Sequence, residues 1–139
     1  MPITRLSPQD AQAAIQGWTD AVNALFQQVQ QWIMEERPEW QIEFTTADVT
    51  EESLGRYAMQ VMEISAQSGR LILEPVGRDV FGADGRIDLY AWPSLYRVML
   101  LRSFAGGEWV IRTSSGIDWP QPWSRSGFLA VADRLLRAV

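Results

Sequence analysis

Histidine, cysteine and lysine are all missing from this 139-residue chain. Without histidine or cysteine it cannot assemble a Ser-His-Asp or Cys-His nucleophile, nor a zinc site built on imidazole or thiolate. Without lysine it has no Schiff-base amine and no phosphate-cradling P-loop. A metal would find only carboxylates, carbonyls and hydroxyls, which narrows the choice to hard cations such as Mg²⁺ or Ca²⁺. No apolar run approaches the roughly 18 residues that suggest a membrane span, and residues 1–8 lack the basic-then-apolar order of a signal peptide. The expectation is a cytoplasmic protein, and the lack of cysteine agrees with it.

The twelve basic residues are all arginine, which reads as genome composition rather than chemistry. The net charge of −5 is unevenly spread. Residues 1–69 carry three arginines and ten acids, net −7; residues 70–139 carry nine arginines and seven acids, net +2. An acidic total argues against non-specific nucleic-acid binding, which depends on neutralising phosphates. The asymmetry suits a partner that meets one pole of the molecule.

Several segments have a clear period. Ser7, Pro8 and Asp10 form a helix start: a capping hydroxyl, a proline at the first helical position and a carboxylate in the first turn. Ala11, Ile15, Trp18, Val22, Leu25, Val29 and Trp32 then recur at alternating spacings of four and three, which puts all seven on one side of a helix. Arg37-Pro38 ends it. About 29 residues at ~1.5 Å each make a rod of roughly 43 Å. The stripe has two readings, a coiled-coil seam or the face that packs on a sheet; the bulk of Trp18 and Trp32 favours the sheet. One end of so long a rod could also reach a second subunit.

After Pro38 the period falls to two. Trp40, Ile42 and Phe44 predict a strand, followed by an acidic polar loop from Thr45 to about Ser53. Arg56–Ala66 and Leu71–Leu73 read as strands joined by a turn at 67–70, with Pro75 and Gly77 marking a bulge or an edge. Gly82-Ala83-Asp84-Gly85 is a second turn. Strands at Ile87–Trp92, Tyr96–Ser103 and Glu108–Thr113 have connections so short that only antiparallel neighbours fit. A final helix carries Phe128, Val131, Leu135 and Val139. The expected fold is one α+β domain over residues 1–139. A long N-terminal helix packs on an antiparallel meander of about six strands, and a short C-terminal helix closes it.

The strongest candidate site is the second face of that sheet. Alternation gives one face Ile87, Leu89, Ala91, Tyr96, Val98, Leu100, Trp109 and Ile111. The other receives Asp88, Tyr90, Trp92, Arg97, Met99, Leu101, Val110 and Arg112. A solvated face should be mostly polar, whereas this one mixes arginines, aromatics and methionine as interface cores do. Either it docks a partner chain, or the C-terminal helix or a loop covers it while Asp88 pairs an arginine.

Other features have plainer explanations. Seven tryptophans are many. Trp92, Trp119 and Trp123, near turns, prolines and Asp118, suit stacking on a sugar or a proline-rich peptide, but filling core and bracing loops explains them more simply. Trp123 is expected to pack on the last helix. Asp79, Asp84 and Asp88 flank a glycine-rich turn without the ligand spacing or closing glutamate of a calcium loop. Glu35, Glu36, Glu39 and Glu43, with Asp48, Glu51 and Glu52, read as surface acids rather than a glycosidase pair. Ser114-Ser115-Gly116 has no activating base. Neither a metal nor another cofactor is expected.

Three functions remain. The first is a non-catalytic binding or adaptor protein, homodimeric, acting through Tyr90, Trp92, Arg97, Met99, Arg112 and Asp88. The second is a small-ligand pocket between sheet and long helix, using Asp88, Glu63 or Glu74 with Arg97, with or without acid–base activity. The third is a small acidic chaperone-like protein.

Overall fold

The computed structural model describes residues 6–80, 82–104, 107–113 and 121–138. Helix α1 spans Pro8–Glu36. Its start matches the sequence reading: the Ser7 hydroxyl accepts the Asp10 amide at 3.1 Å, and Pro8 lies in the first turn. At its end the Arg37 amide donates to the Ile33 carbonyl before Pro38. The stripe packs on the sheet, and no coiled-coil partner is needed to explain it. Trp18, Val22, Leu25 and Val29 are buried in the main core, and Ala11, Ile15 and Trp32 are half-buried against it. Phe26 and Ile33 join them, widening the apolar face.

The sheet has seven antiparallel strands in sequential order: β1 (Gln41–Glu51), β2 (Gly55–Ala66), β3 (Gly69–Gly77), β4 (Arg86–Trp92), β5 (Val98–Arg102), β6 (Trp109–Thr113) and β7 (Gln121–Pro122). It is an α+β fold with slightly more strand than expected. The segment read as an acidic loop, residues 45–51, continues β1 and pairs with β2 without a break. Its polar residues are largely exposed, so no apolar alternation announces the strand. β5 begins at Val98 rather than Tyr96, and Tyr96 is exposed in the preceding turn instead of lying on the core face. The bulge anticipated at Pro75–Gly77 is present against β4.

Register defines the two faces. On one side the rows Ile64–Leu71–Ala91, Met62–Leu73–Leu89–Val98 and Ile87–Leu100–Ile111 cross the sheet. These residues make the main core together with α1. Helix α2 (Arg125–Arg137) lies on the same side, burying Phe128, Val131, Ala132, Leu135 and Leu136. Trp123 packs as expected, 5.6 Å from Phe128 and 5.2 Å from Trp32 between ring centroids. Its indole donates to Gln28 at 3.0 Å, and Arg37 bonds Asp133 at 2.8 Å, so α2 is fastened to α1 as well as to the sheet.

β2 changes face along its length. Tyr57 and Met59 belong to the main core, whereas Val61, next in the same alternation, lies in a separate cluster and Met62 and Ile64 take over the main core. The slip falls where pairing with β3 begins, at Met62↔Leu73, and β1–β2 pairing shows no shift there. Strand twist rather than an inserted residue therefore turns the far end of the hairpin toward α1, where the Thr19 hydroxyl meets the Met59 sulfur at 3.5 Å.

Two glycines give contrasting predictions. Gly85 has φ +133°, and a Cβ there would sit 2.2 Å from the Trp18 ring. Gly85→Ala is expected to cost about 2–4 kcal/mol through strain and overpacking. Gly17 lies inside α1, and an added Cβ would meet nothing within 4 Å, so Gly17→Ala should stabilise by about 1 kcal/mol. Urea titration of the two variants measures both signs.

Candidate functional site

The opposite face of the sheet carries different rows. Glu63–Ile72–Tyr90, Ser65–Arg70–Trp92 and Glu74–Asp88–Met99–Arg112 run across it, with Arg86–Leu101–Val110 beyond. Neither helix reaches this side. All the sequence-predicted candidates in β4, β5 and β6, namely Asp88, Tyr90, Trp92, Met99 and Arg112, point the same way. Arg97, just before β5, joins them through its guanidinium, which lies 3.5 Å from the centre of the Tyr90 ring.

These residues form layers of different exposure. Val61, Ile72 and Tyr90 make a small second cluster, with Ala47 packed against it. Tyr90 is only 7% exposed, covered by Arg97. The Tyr90 hydroxyl donates to Glu74 at 2.8 Å. Burial, and then this bond to a carboxylate, push the phenol up to about 12. Arg86 grips Asp88 through two hydrogen bonds, 2.7 and 3.2 Å. Asp88 thus does pair an arginine, yet neither helix covers the face. Above this layer Trp92 is 55% exposed, with Arg70 5.8 Å from its ring centre. The Arg97 guanidinium also donates to the Ser94 carbonyl at 3.0 Å. The chemistry on offer is recognition: planar arginine donors for carboxylates, an indole for apolar contact, and a rigid strand floor beneath.

The residues proposed for a pocket between helix and sheet lie elsewhere. Glu63, Glu74, Asp88 and Arg97 all belong to the outer face, on the far side of the sheet from α1. Two hollows that open to the surface lie away from the helix–sheet interface. One of about 350 Å³ is lined by Glu51, Ser53, Gly77 and Asp79, and another of about 490 Å³ by Arg78, Asp84 and Phe104. Around the first, Glu51 accepts the Tyr57 hydroxyl and the amides of Arg78 and Asp79. It therefore ties the β1–β2 hairpin to the chain after β3, a structural role that a loop assignment concealed. Among the described residues no three carboxylates converge to hold a metal. Ser114, Ser115, Gly116, Asp118, Trp119 and Val139 lie outside the described residues. No described helix is long and apolar enough to cross a membrane.

Sequence reasoning missed Ile72, Glu74 and Arg70 as members of this face. Alternation of Arg70, Ile72 and Glu74 against Leu71 and Leu73 carries the signal, but it emerges only once β3 is set beside β4. Compared with known proteins, the chain matches no family model, no curated protein and no solved structure.

The raised phenol has a sign that can be tested. The unfolded tyrosine ionises near 10 and the folded Tyr90 near 12, so its neutral form stabilises the fold fully below pH 10. That contribution is lost as pH rises from 10 toward 12. Absorbance of phenolate at alkaline pH should contain a component with a midpoint near 12 that Tyr90→Phe removes. A Tyr90 component near 10 would contradict the hydrogen bond to Glu74.

Proposed function

We propose that this chain is a non-catalytic protein-binding or adaptor domain, homodimeric, working in the cytoplasm, and that its outer sheet face holds an acidic segment of another protein. The observation that carries this reading is a face left by both helices that presents Trp92 at 55% exposure with Arg70 against its ring, Arg97 over the neighbouring Tyr90, and Arg112 farther across the same face in the row of Asp88 and Met99. Arg86 already holds Asp88, whereas these three arginines have no carboxylate partner among the described residues. A partner supplying carboxylates would gain charge-assisted bonds that the free domain lacks, and an apolar side chain would find the indole. Interface centres are enriched in aromatic residues and arginine for these reasons. The composition agrees: without histidine, cysteine or lysine, binding is the chemistry the chain is best supplied for.

The double variant Arg97→Glu/Arg112→Glu tests the face. Both side chains are at least partly exposed, so the fold is expected to survive, with an unchanged far-ultraviolet circular dichroism spectrum. Proteins recovered with the wild-type domain from its native lysate should be lost with the variant, at least tenfold by quantitative mass spectrometry. An identical set retained by both proteins would assign the function to another surface.

A further inference from the structure

β1 is an edge strand of an unusual kind. It runs for 11 residues, Gln41–Glu51, and pairs only with β2 among the described residues. Natural sheets blunt such edges with short strands, prolines, bulges or charged side chains, lysine above all; the only charges in β1 are the acids Glu43, Asp48 and Glu51. The opposite edge follows that rule: β7 has two residues and one is Pro122. β1 has no proline or basic residue, and its ladder with β2 is unbroken. Ile42, Thr45, Thr46, Val49 and Thr50 are β-branched, and Phe44 lies among them, so the strand is rich in residues that favour extended pairing.

We propose that the occupant of this edge is β1 of a second copy, paired antiparallel about a two-fold axis at Thr46. This goes beyond the binding role of the outer face and rests only on the homodimeric part of that reading. The argument is register. On an antiparallel edge every second residue directs its backbone groups outward, so two copies of one strand can shift past each other only in steps that keep like-oriented positions opposed. With Thr46 facing itself, all 11 residues are paired. Gln41 then faces Glu51, Glu43 faces Val49 and Phe44 faces Asp48, so no acid stands opposite an acid. Moving the axis to Ala47 sets Glu43 against Glu51, and moving it to Asp48 sets that carboxylate against its own copy. Like charges directly opposed on a ladder are destabilising. The one register that uses the whole strand is therefore also one that avoids repulsion. It forms roughly ten backbone hydrogen bonds and extends one continuous sheet through both subunits, helices on the same side.

The absence of native cysteine makes the register directly readable. In a Thr46→Cys variant the two sulfurs meet at the axis, with Cα atoms about 4.5–5.5 Å apart, within disulfide range. In Thr50→Cys each cysteine lies opposite Ile42, about 27 Å from its own copy along the ladder. Both positions are exposed. The expected result is a wild-type mass of twice the chain by light scattering, a disulfide-linked dimer from oxidised Thr46→Cys at ten times or more the yield from Thr50→Cys, and a monomeric Thr46→Asp with an unchanged circular dichroism spectrum. A wild-type monomer overturns the edge contact and the homodimer together. A dimer that survives Thr46→Asp, or that cross-links equally at both positions, overturns the edge contact alone. Loss of partner in Arg97→Glu/Arg112→Glu, read at unchanged mass, concerns only the outer face.

Discussion

Every other placement in this molecule follows from burying the apolar stripe of α1 against one side of the meander. Trp18, Val22, Leu25 and Val29 reach the sheet from successive turns, and all are at most 1% exposed. The Trp18 ring sits so close to Gly85 that a side chain there has no room. Contact at this depth fixes which side of each strand faces inward, because a one-residue slip would carry a whole strand's apolar set to solvent. α2 does not form a third layer. It is drawn to the same side by Phe128 and Trp123 against Trp32, and by ion pairs of Arg37 with Asp133 and Arg125 with Glu35.

The consequence is a sheet with one thick side and one that must stabilise itself. The outer face does so with modest means. A three-residue apolar cluster, the stack of Arg97 on Tyr90 and the Arg86–Asp88 pair hold its centre. A cation–π contact is worth about 0.5–2 kcal/mol, and the Arg86–Asp88 pair, whose carboxylate is mostly buried, sets its attraction against the cost of removing both charges from water, so these contacts order the face more than they drive folding. Ordered arginines and a projecting indole are what a binding surface needs in advance, since flexible donors lose more on association. The β1 edge offers a second and different valence, made of backbone groups. Assembly through the edge would leave the arginine face free, so one pairing does not compete with the other.

Much of the fold was legible because burial writes a period into the chain. The four-three spacing in α1 and the Ser7-Pro8 start survive unchanged, as do the alternating rows of β4, β5 and β6 that separate Ile87, Leu89 and Leu100 from Asp88, Tyr90 and Met99. Where burial is weak the period fades. Residues 45–51 are mostly exposed, and their threonines and acids look like a loop although they pair along their full length with β2. β2 hides its alternation in another way: Val61 and Met62 are both buried because the two faces of the strand are covered there, Val61 by the outer cluster and Met62 by the main core. For the outer face, the members in β4 to β6 could be read from single strands, whereas Arg70, Ile72 and Glu74 enter it only through the pairing of β3 with β4. Tyr96 was lost from the core face because the turn after Trp92 occupies residues that alternation alone assigned to β5.

Solvent access to the two sheet faces is the quantity to measure. Trp92 and Trp18 serve as reporters on opposite sides, at 55% and 1% exposure. In proton NMR spectra with a soluble paramagnetic chelate, the Trp92 indole N–H should broaden strongly while that of Trp18 stays sharp. The Met99 methyl should follow Trp92, and the Met62 methyl should follow Trp18. Equal protection of Trp92 and Trp18, with Met99 as sheltered as Met62, would mean that the outer face is sealed within the subunit and would contradict a one-sided arrangement of the helices.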